Sequence, residues 1–441
     1  MRTLTKDLHQ KIGQQVKVQG FVHTIRSQKQ IQFVILRDHT GQVQLVHERT
    51  EGEDQIDTLI TGLTIESTIT VTGKVIENPQ VKLGGIEITI EEFTIESLAQ
   101  TPLPIMPSKT ENIPILDTRM DYRWLDLRRP EEYLVFKVQT TAEAAMREFW
   151  LDHDFIEIHS PKLMGAASES GAELFQLKYF DNKMACLAQS PQNYKQMAQA
   201  AGFDRVFEIG PVFRANPSFT SRHDTEFTSV DMEISWIDSH EDIMTLEEEW
   251  ITHVFTRVKE QLGEKIKAIF DRDIVIPKTP FPRIPLAEAI KIVADRGHII
   301  PNGTKDLDPT GEKVLAEYVM EKYEHEFVFV TDYPASVRAF YHMRYPDRPD
   351  TTKSFDLLWQ GLEVTTGAQR EHRYDKLVEQ AKEKGIDLGP LQKSYLDFFK
   401  YGCPPHGGLG FGLTRMLMIM LGKSNVREVT YLYRGPNRLT P

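Results

Sequence analysis

At 441 residues the chain is too long for one small core and divides into more than one domain, while 40% hydrophobic and 26% charged residues are the proportions of an ordinary soluble protein. No stretch approaches the roughly 20 apolar residues that span a bilayer, the opening MRTLTKDLHQKIGQ has no signal-peptide run, and Cys186 and Cys403 alone make neither a disulfide framework nor a four-ligand zinc site. A cytoplasmic protein is expected; its net charge of −12 argues against binding nucleic acid over the whole surface, whereas the Lys/Arg excess in the first fifty residues leaves room for a local basic face.

Residues 15–98 read as five short strands (QVKVQGFVHTI, IQFVILRD, GQVQLVHE, STITVTGKVIE and GGIEITIEEFTIES) with turn material at Asp38-His39-Thr40-Gly41 and Lys82-Leu83-Gly84-Gly85. Residues 1–101 are therefore expected to form a small closed barrel of the OB type, a scaffold that often binds single-stranded nucleic acid. Phe33, flanked by polar residues, reads either as a base-stacking ring on the barrel face or as core. Pro102, Pro104 and Pro107 then mark a hinge over 102–131, and residues 132–441 form the second domain.

That domain opens with an amphipathic helix, YLVFKVQTTAEAAMREFWLDHDF, running into a strand, FIEIHSPKL, stopped at Ser160-Pro161. RVFEIGPVFRANPSFTSRHDTEFTSVDMEISW follows as a long hairpin, its first strand breaking at Asn216-Pro217-Ser218 and its second beginning at Glu226. Arg214 at a strand end, Arg222 and His223 in the loop, and Phe227 on the return strand combine planar cations suited to phosphate with an aromatic ring suited to a base; a surface hairpin with solvated arginines is the competing reading. Helices alternate with loops from His240 to a buried strand at EFVFVTDYP, and FDLLWQGLEVTTG supplies another strand pair. The closing PHGGLGFGLTRMLMIMLG is a glycine-rich strand entering an apolar helix; it lacks both the Lys-Ser/Thr of a P-loop and the dinucleotide glycine spacing. Gly408, Gly410 and Gly412 alternate, so one strand face is bare, and either a flat ligand or close strand–helix packing uses it.

In this order behind a small barrel, the helix–strand–Ser-Pro element, the Arg-bearing hairpin and the glycine strand leading to Arg415 resemble the three signature motifs of class II aminoacyl-tRNA synthetases. Their order and spacing look like the aspartate, asparagine and lysine subgroup, and within it the chain is most similar to the short archaeal-type aspartyl-tRNA synthetases. LDTRMDYRWLDLRRPE, SESGAELF, AQSPQNYKQ, EIGPVFRA, SRHDTEF, GAQREHRYD and PPHGG carry the resemblance nearly end to end. It implies an α+β fold: an OB-type barrel followed by a catalytic domain built on an antiparallel sheet flanked by helices, assembled as a homodimer.

By the same resemblance, Arg214 would hold the α-phosphate of ATP and the substrate carboxylate, with Arg222, His223 and Arg415 on the outer phosphates and Gly412 also lining the ATP site. Phe227 would stack on adenine, and Mg2+ would be held by Asp356 and Glu363. Gln192, Asp231 and Glu169 would bind the α-amino group, with Thr366 also at the amino-acid site, and Lys195 and Arg370 would pair with the side-chain carboxylate of aspartate. A buried ammonium without that carboxylate is costly, so Lys195 argues against asparagine as substrate. Arg26, Phe33 and Gln44 would contact the anticodon of tRNA. Asn216 stands where the family usually has Glu, and Asp224 replaces an apolar residue. Three readings follow: an aspartate–tRNA ligase that charges the aspartate tRNA alone or the asparagine tRNA too, with an asparaginyl-tRNA synthetase beside it; a paralogue passing activated aspartate to another acceptor such as ammonia; and a silent RNA-binding protein.

Overall fold

Alternation of apolar and polar residues closes the first unit of the chain. The computed structural model describes residues 1–50, 54–109, 111–165, 173–301 and 305–441, and it divides into two compact units, Met1–Pro114 and Ile115–Pro441. In the first, β1 (Gln15–Ser27), β2 (Ile31–Arg37), β3 (Gln42–Glu48), β4 (Thr68–Glu77) and β5 (Ile86–Ser97) close into a barrel in the order β1-β2-β3-β5-β4. A short helix α1 (Gln55–Thr61), capped by the Asp54 side chain, connects β3 to β4. Val34, Leu36, Val43 and Leu45 fill the barrel interior. The period of two then turns Phe33 and Gln44 outward. Phe33 is half-buried, stands opposite exposed Arg26 in the β1–β2 register, and lies outside the core, which removes the core reading of that ring.

The division at Pro114 falls inside the expected 102–131 hinge. From Leu116 onward the chain is helical and tied to the second unit: α2 (Leu116–Asp121), α3 (Arg123–Asp126) and α4 (Pro130–Asp152). Buried Arg119 pairs with Asp126 at 3.0 Å and Glu132 at 2.7 Å, and buried Arg123 pairs with the same two carboxylates. Buried guanidiniums need such partners, so this segment is part of the domain.

The expected strand FIEIHSPKL shrinks to β6 (Ile156–Glu157), because Ser160 turns away to give its N–H and Oγ to Glu208. β7 (Leu163–Met164), β8 (Gln176–Lys178) and β9 (Met184–Leu187) form a small separate sheet ahead of α5 (Gln192–Ala200). The hairpin is β10 (Arg205–Phe213) and β11 (Glu226–Ser235), followed by the long helix α6 (His240–Phe270). Then come β12 (Arg283–Pro285), α7 (Leu286–Asp295), α8 (Pro309–Tyr323), β13 (Phe327–Thr331), β14 (Ser354–Trp359) and β15 (Leu362–Arg370). Helices α9 (Tyr374–Glu383) and α10 (Leu388–Ser394) precede β16 (His406–Gly412) and α11 (Leu413–Leu421).

The main sheet has eight strands in the order β12-β13-β14-β15-β16-β11-β10-β6. It is antiparallel throughout its centre; only the edge pairs β12–β13 and β6–β10 are parallel. On β11 the side chains of Val230, Met232 and Ile234 enter the core under α4 and α6, where Trp150 and Trp250 stack at 4.9 Å. Ser229, Asp231 and Glu233 occupy the opposite face, and on β16 Leu409 and Phe411 face the core while Gly408, Gly410 and Gly412 face away. One face of the central strands is thus apolar and the other carries the polar chemistry.

Candidate active site

On that polar face lies a cavity of about 360 Å³. Into it converge Arg214, Arg222, His223, Phe227 and Asp231 from the hairpin, Gln192 from α5, Glu363, Thr366 and Arg370 from β15, and Gly412 and Arg415 from the β16–α11 junction. The guanidinium of Arg214 lies over the Phe227 ring, 5.4 Å from its centroid, and among the described residues no carboxylate is within ion-pair distance of it. Arg222 is held by Glu312 of α8 at 3.2 Å, and Arg415 gives one N–H to the carbonyl of Glu363 at 2.8 Å. Burial lowers the pKa of His223, and Arg415, Arg222 and Arg214 lower it further, which shows how near one another the three cations stand. Such a cluster, kept apart from full neutralisation, is built for a polyanion.

The bare face of β16 serves two purposes. Beside Gly410 is the Asp231 carboxylate, and a Cβ there would sit 3.2 Å from Oδ1, so glycine keeps this part of the cavity open. At Gly408 a Cβ would collide with the Met232 carbonyl and the Glu233 carboxylate, so that end is closed by packing. The close packing at Gly408 is thus against strand β11 and not against a helix, while the Gly410 end is open to the cavity.

Behind Asp231 lies Lys195, 2% exposed in its side chain, whose Nζ donates to Asp231 Oδ1 at 2.9 Å and to the Leu409 carbonyl at 2.8 Å, with Glu233 Oε2 at 3.4 Å. Lys195 is therefore not on the cavity wall, where pairing with a ligand's carboxylate would put it. Two carboxylates on β11 draw the ammonium inward, and it reaches the cavity through Asp231. Arg370 does line the cavity; its Nε donates to Glu233 at 2.9 Å and an Nη to the Gly408 carbonyl at 2.9 Å. Ser229 Oγ donates to the second oxygen of Asp231 at 2.5 Å, so that carboxylate is fixed from both sides.

Asp356, likewise, is not on the cavity wall. It is buried, with Oδ2 2.7 Å from Arg338 and Oδ1 without a hydrogen-bond partner among the described residues. Glu363 keeps 38% of its side chain open, yet the surrounding protein raises its pKa, with Asp356 adding to the rise. A buried lone pair and two mutually repelling carboxylates on paired strands suit a hard divalent cation whose remaining ligands come from phosphates. Among the described residues no group of three or more acidic, His or Cys side chains is arranged to hold a metal unaided. Glu169 lies outside the described residues. Arg26, Phe33 and Gln44 belong to the barrel, where Gln44 Nε2 donates to Glu87 at 2.7 Å.

Several lining residues escaped the sequence reading. Arg338 stacks on Tyr333 at 3.6 Å and lines the cavity from the loop after β13; a charged residue following a fully buried strand was the available signal. His342 also lines it, buried, its Nδ1 unpartnered among the described residues and its pKa well below the usual value because of burial and then Arg370 and Arg338. Glu312 of α8 is not on the lining but holds the lining residue Arg222, and no local pattern announced it. Of the departures from the family pattern, Asn216 lines the cavity and Asp224 lines it while accepting from Thr430 at 3.1 Å.

A model of the tRNA synthetases class II (D, K and N) matches residues 116–434, and a model of the OB-fold nucleic acid binding domain matches residues 16–96. The chain belongs to the class II aminoacyl-tRNA synthetases of the aspartate, lysine and asparagine group. It is similar to the aspartate–tRNA(Asp) ligase of Pyrococcus abyssi, 44% identical over 99% of this chain and 98% of the relative. The aspartate–tRNA(Asp/Asn) ligase of Methanopyrus kandleri is 43% identical over 97% and 96%. Among solved structures, asparaginyl-tRNA synthetase from Pyrococcus horikoshii complexed with asparaginyl-adenylate superimposes with a TM-score of 0.91 at 32% identity, covering all of both chains. In this class II synthetase the barrel and the eight-stranded sheet are the two family domains, as the α+β expectation had them.

Proposed function

We propose that this synthetase is an aspartate–tRNA ligase: it activates aspartate with ATP to aspartyl-adenylate and transfers the aspartyl group to tRNA. The observation that carries the reading is an arginine cluster at one part of the cavity with Arg370 lining another, where Lys195 stands buried behind Asp231. Full-length relatives at 43% and 44% identity that are named for aspartate support it.

The chemistry follows from the side chains. A substrate carboxylate attacks the α-phosphate of ATP and pyrophosphate leaves while charge builds on the phosphate oxygens, so cations fixed beforehand lower the barrier. In this reading Arg214 orients carboxylate and α-phosphate, Phe227 stacks on adenine, and Arg222, His223 and Arg415 hold the outer phosphates beside Gly412. Gln192, Asp231 and Glu169 receive the α-ammonium, and Thr366 and Arg370 complete the amino-acid subsite. Lys195 sets the charge of that subsite from behind Asp231. Mg2+, held by Asp356 and Glu363, would supply neutralisation of phosphate charge. Transfer needs no protein nucleophile: the terminal hydroxyl of tRNA loses its proton as it attacks the carbonyl carbon of the mixed anhydride, and AMP leaves. Arg26, Phe33 and Gln44 contact the anticodon.

Action in the cytoplasm as a homodimer belongs to the same reading. Solvent-exposed Tyr122 and Trp124, edge to face with ring centroids 5.8 Å apart at the start of the second unit, are an apolar patch that a second copy would cover. No helix among the described residues is long and apolar enough to cross a membrane. Because relatives named for the aspartate tRNA alone and for both tRNAs are almost equally similar, charging of the asparagine tRNA is the second reading.

ATP–pyrophosphate exchange with each amino acid, then charging of aspartate and asparagine tRNA transcripts, tests the proposal. Aspartate-dependent exchange with charging is expected. Exchange with asparagine, or none, overturns it, and aspartate exchange without charging of any tRNA moves the acceptor elsewhere, ammonia being one candidate.

A further inference from the structure

Gln192 lines the cavity from the first turn of α5, and an amide can present either its carbonyl or its NH2 group to a ligand. Which one it presents is fixed by a chain of hydrogen bonds whose sense can be read from one end. The carbonyl of Pro404 only accepts, and it lies 2.8 Å from Nδ1 of His406, so that nitrogen carries a proton. His406 is fully buried and burial holds its pKa at about 4, so the ring is neutral and Nε2 is an acceptor. Gln196 meets Nε2 at 3.0 Å and must therefore turn its NH2 group that way. Its Oε1 is left to accept from the Tyr395 hydroxyl at 2.8 Å and from Gln192 Nε2 at 2.9 Å. Gln192, having committed its NH2 group to the interior, has its Oε1 on the other side of the amide.

We propose that His406, Gln196 and Tyr395 form a relay of fixed polarity that makes Gln192 present a carbonyl to the amino-acid subsite, where it selects a substrate bearing an α-ammonium. They are positioning residues, and the inference rests on the aspartate-activating reading above. Gln196 is fully buried on the inner side of α5, and Tyr395 and His406 are fully buried behind it, so none of them touches the substrate. A reversed amide would aim N–H groups at an ammonium and lose one hydrogen bond to a charged group.

The test uses the full-length protein, with aspartate-dependent ATP–pyrophosphate exchange as readout and succinate, which is aspartate without its amino group, as competitor. Gln196→Met removes both ends of the relay link. The KM for aspartate should rise at least about tenfold, the KM for ATP should stay within about twofold, and the preference for aspartate over succinate should shrink by about the same tenfold. Gln196→Glu keeps an oxygen that accepts from Tyr395 and Gln192, and as a neutral acid it also donates to His406. It should therefore retain most of the preference, although a buried carboxyl is the harsher change for packing. A preference over succinate unchanged in Gln196→Met, or lost more in Gln196→Glu than in Gln196→Met, overturns the relay while leaving the aspartate-activating reading intact. Absence of aspartate-dependent exchange in the unaltered protein overturns that reading and the relay with it.

Discussion

The ammonium of Lys195 donates to Asp231 across 2.9 Å, inside the protein and behind the cavity wall. A residue expected to meet substrate directly is thus also a structural counter-charge for Asp231 and Glu233. Lys195→Leu should abolish aspartate activation and also cost about 3–5 kcal/mol of stability, because it leaves carboxylates buried without their partner. The double variant Lys195→Leu/Asp231→Leu should recover much of that stability and none of the activity. Denaturant unfolding beside pyrophosphate exchange measures both. A single variant as stable as the unaltered protein would show that the pair carries no structural weight.

Arg222 shares its guanidinium with Glu312, whose carboxyl burial and the nearby Glu363 push up to about 7. Above that pH the Glu312 anion competes with a triphosphate for Arg222; below it the competition fades. Glu312→Gln should lower the KM for ATP by about threefold to tenfold at pH 8, an effect of ~1 kcal/mol, and have little effect at pH 6. ATP titrations at the two pH values check this, and an equal effect at both would locate the coupling elsewhere.

Much of this architecture is legible in sequence. The hairpin was expected to break at Asn216 and resume at Glu226, and β10 and β11 end and begin at Phe213 and Glu226, since period-two alternation and a Pro-bearing loop are local signals. The grouping of Arg214, Arg222 and Arg415 came through resemblance, and all three line one cavity. What stayed hidden are pairings between distant segments: Lys195 with Asp231, Arg338 with Asp356, Arg222 with Glu312. Each is set by how the strands and helices pack, which no local pattern encodes, so nothing in the sequence told that Lys195, expected to pair with the substrate carboxylate, and Asp356, expected to hold Mg2+, lie behind the cavity wall.

Glu247 on α6 is fully buried; it accepts one hydrogen bond, from Thr365, and its other oxygen has no partner among the described residues. Burial raises its pKa from 4.5 to about 8, with Glu248 and Asp356 adding to the rise. In the unfolded chain the group returns to its ordinary value. The folded protein therefore binds the proton more tightly, and the contribution to stability is complete below about pH 4.5 and drains away as pH climbs to about 8. Urea midpoints should fall across that window. Glu247→Gln should flatten the fall by an amount on the order of a few kcal/mol; a variant with the same pH profile would show that Glu247 does not titrate there.

Phe33 offers a half-buried ring on the outer face of the barrel, opposite Arg26, with Gln44 on the same face and its amide held by Glu87. A ring and a guanidinium on adjoining strands form a stacking platform for an unpaired base, with a cation beside it for phosphate. Phe33→Ala should weaken tRNA binding by about 1–3 kcal/mol, the worth of one stacked base. Because the ring lies outside the barrel core, the fold should survive, and because it belongs to the first unit, aspartate-dependent pyrophosphate exchange should be unchanged. The expected signature is a raised KM for tRNA with the KM for ATP and aspartate untouched. Gln44→Ala should reduce sequence sensitivity: discrimination between anticodon variants should shrink for it, since a base edge is read by hydrogen bonds and a base face only by stacking. Filter binding of transcripts differing at the middle anticodon base measures both effects; no loss in Phe33→Ala would remove the stacking role, and equal losses for every base in Gln44→Ala would assign Gln44 to backbone contact instead.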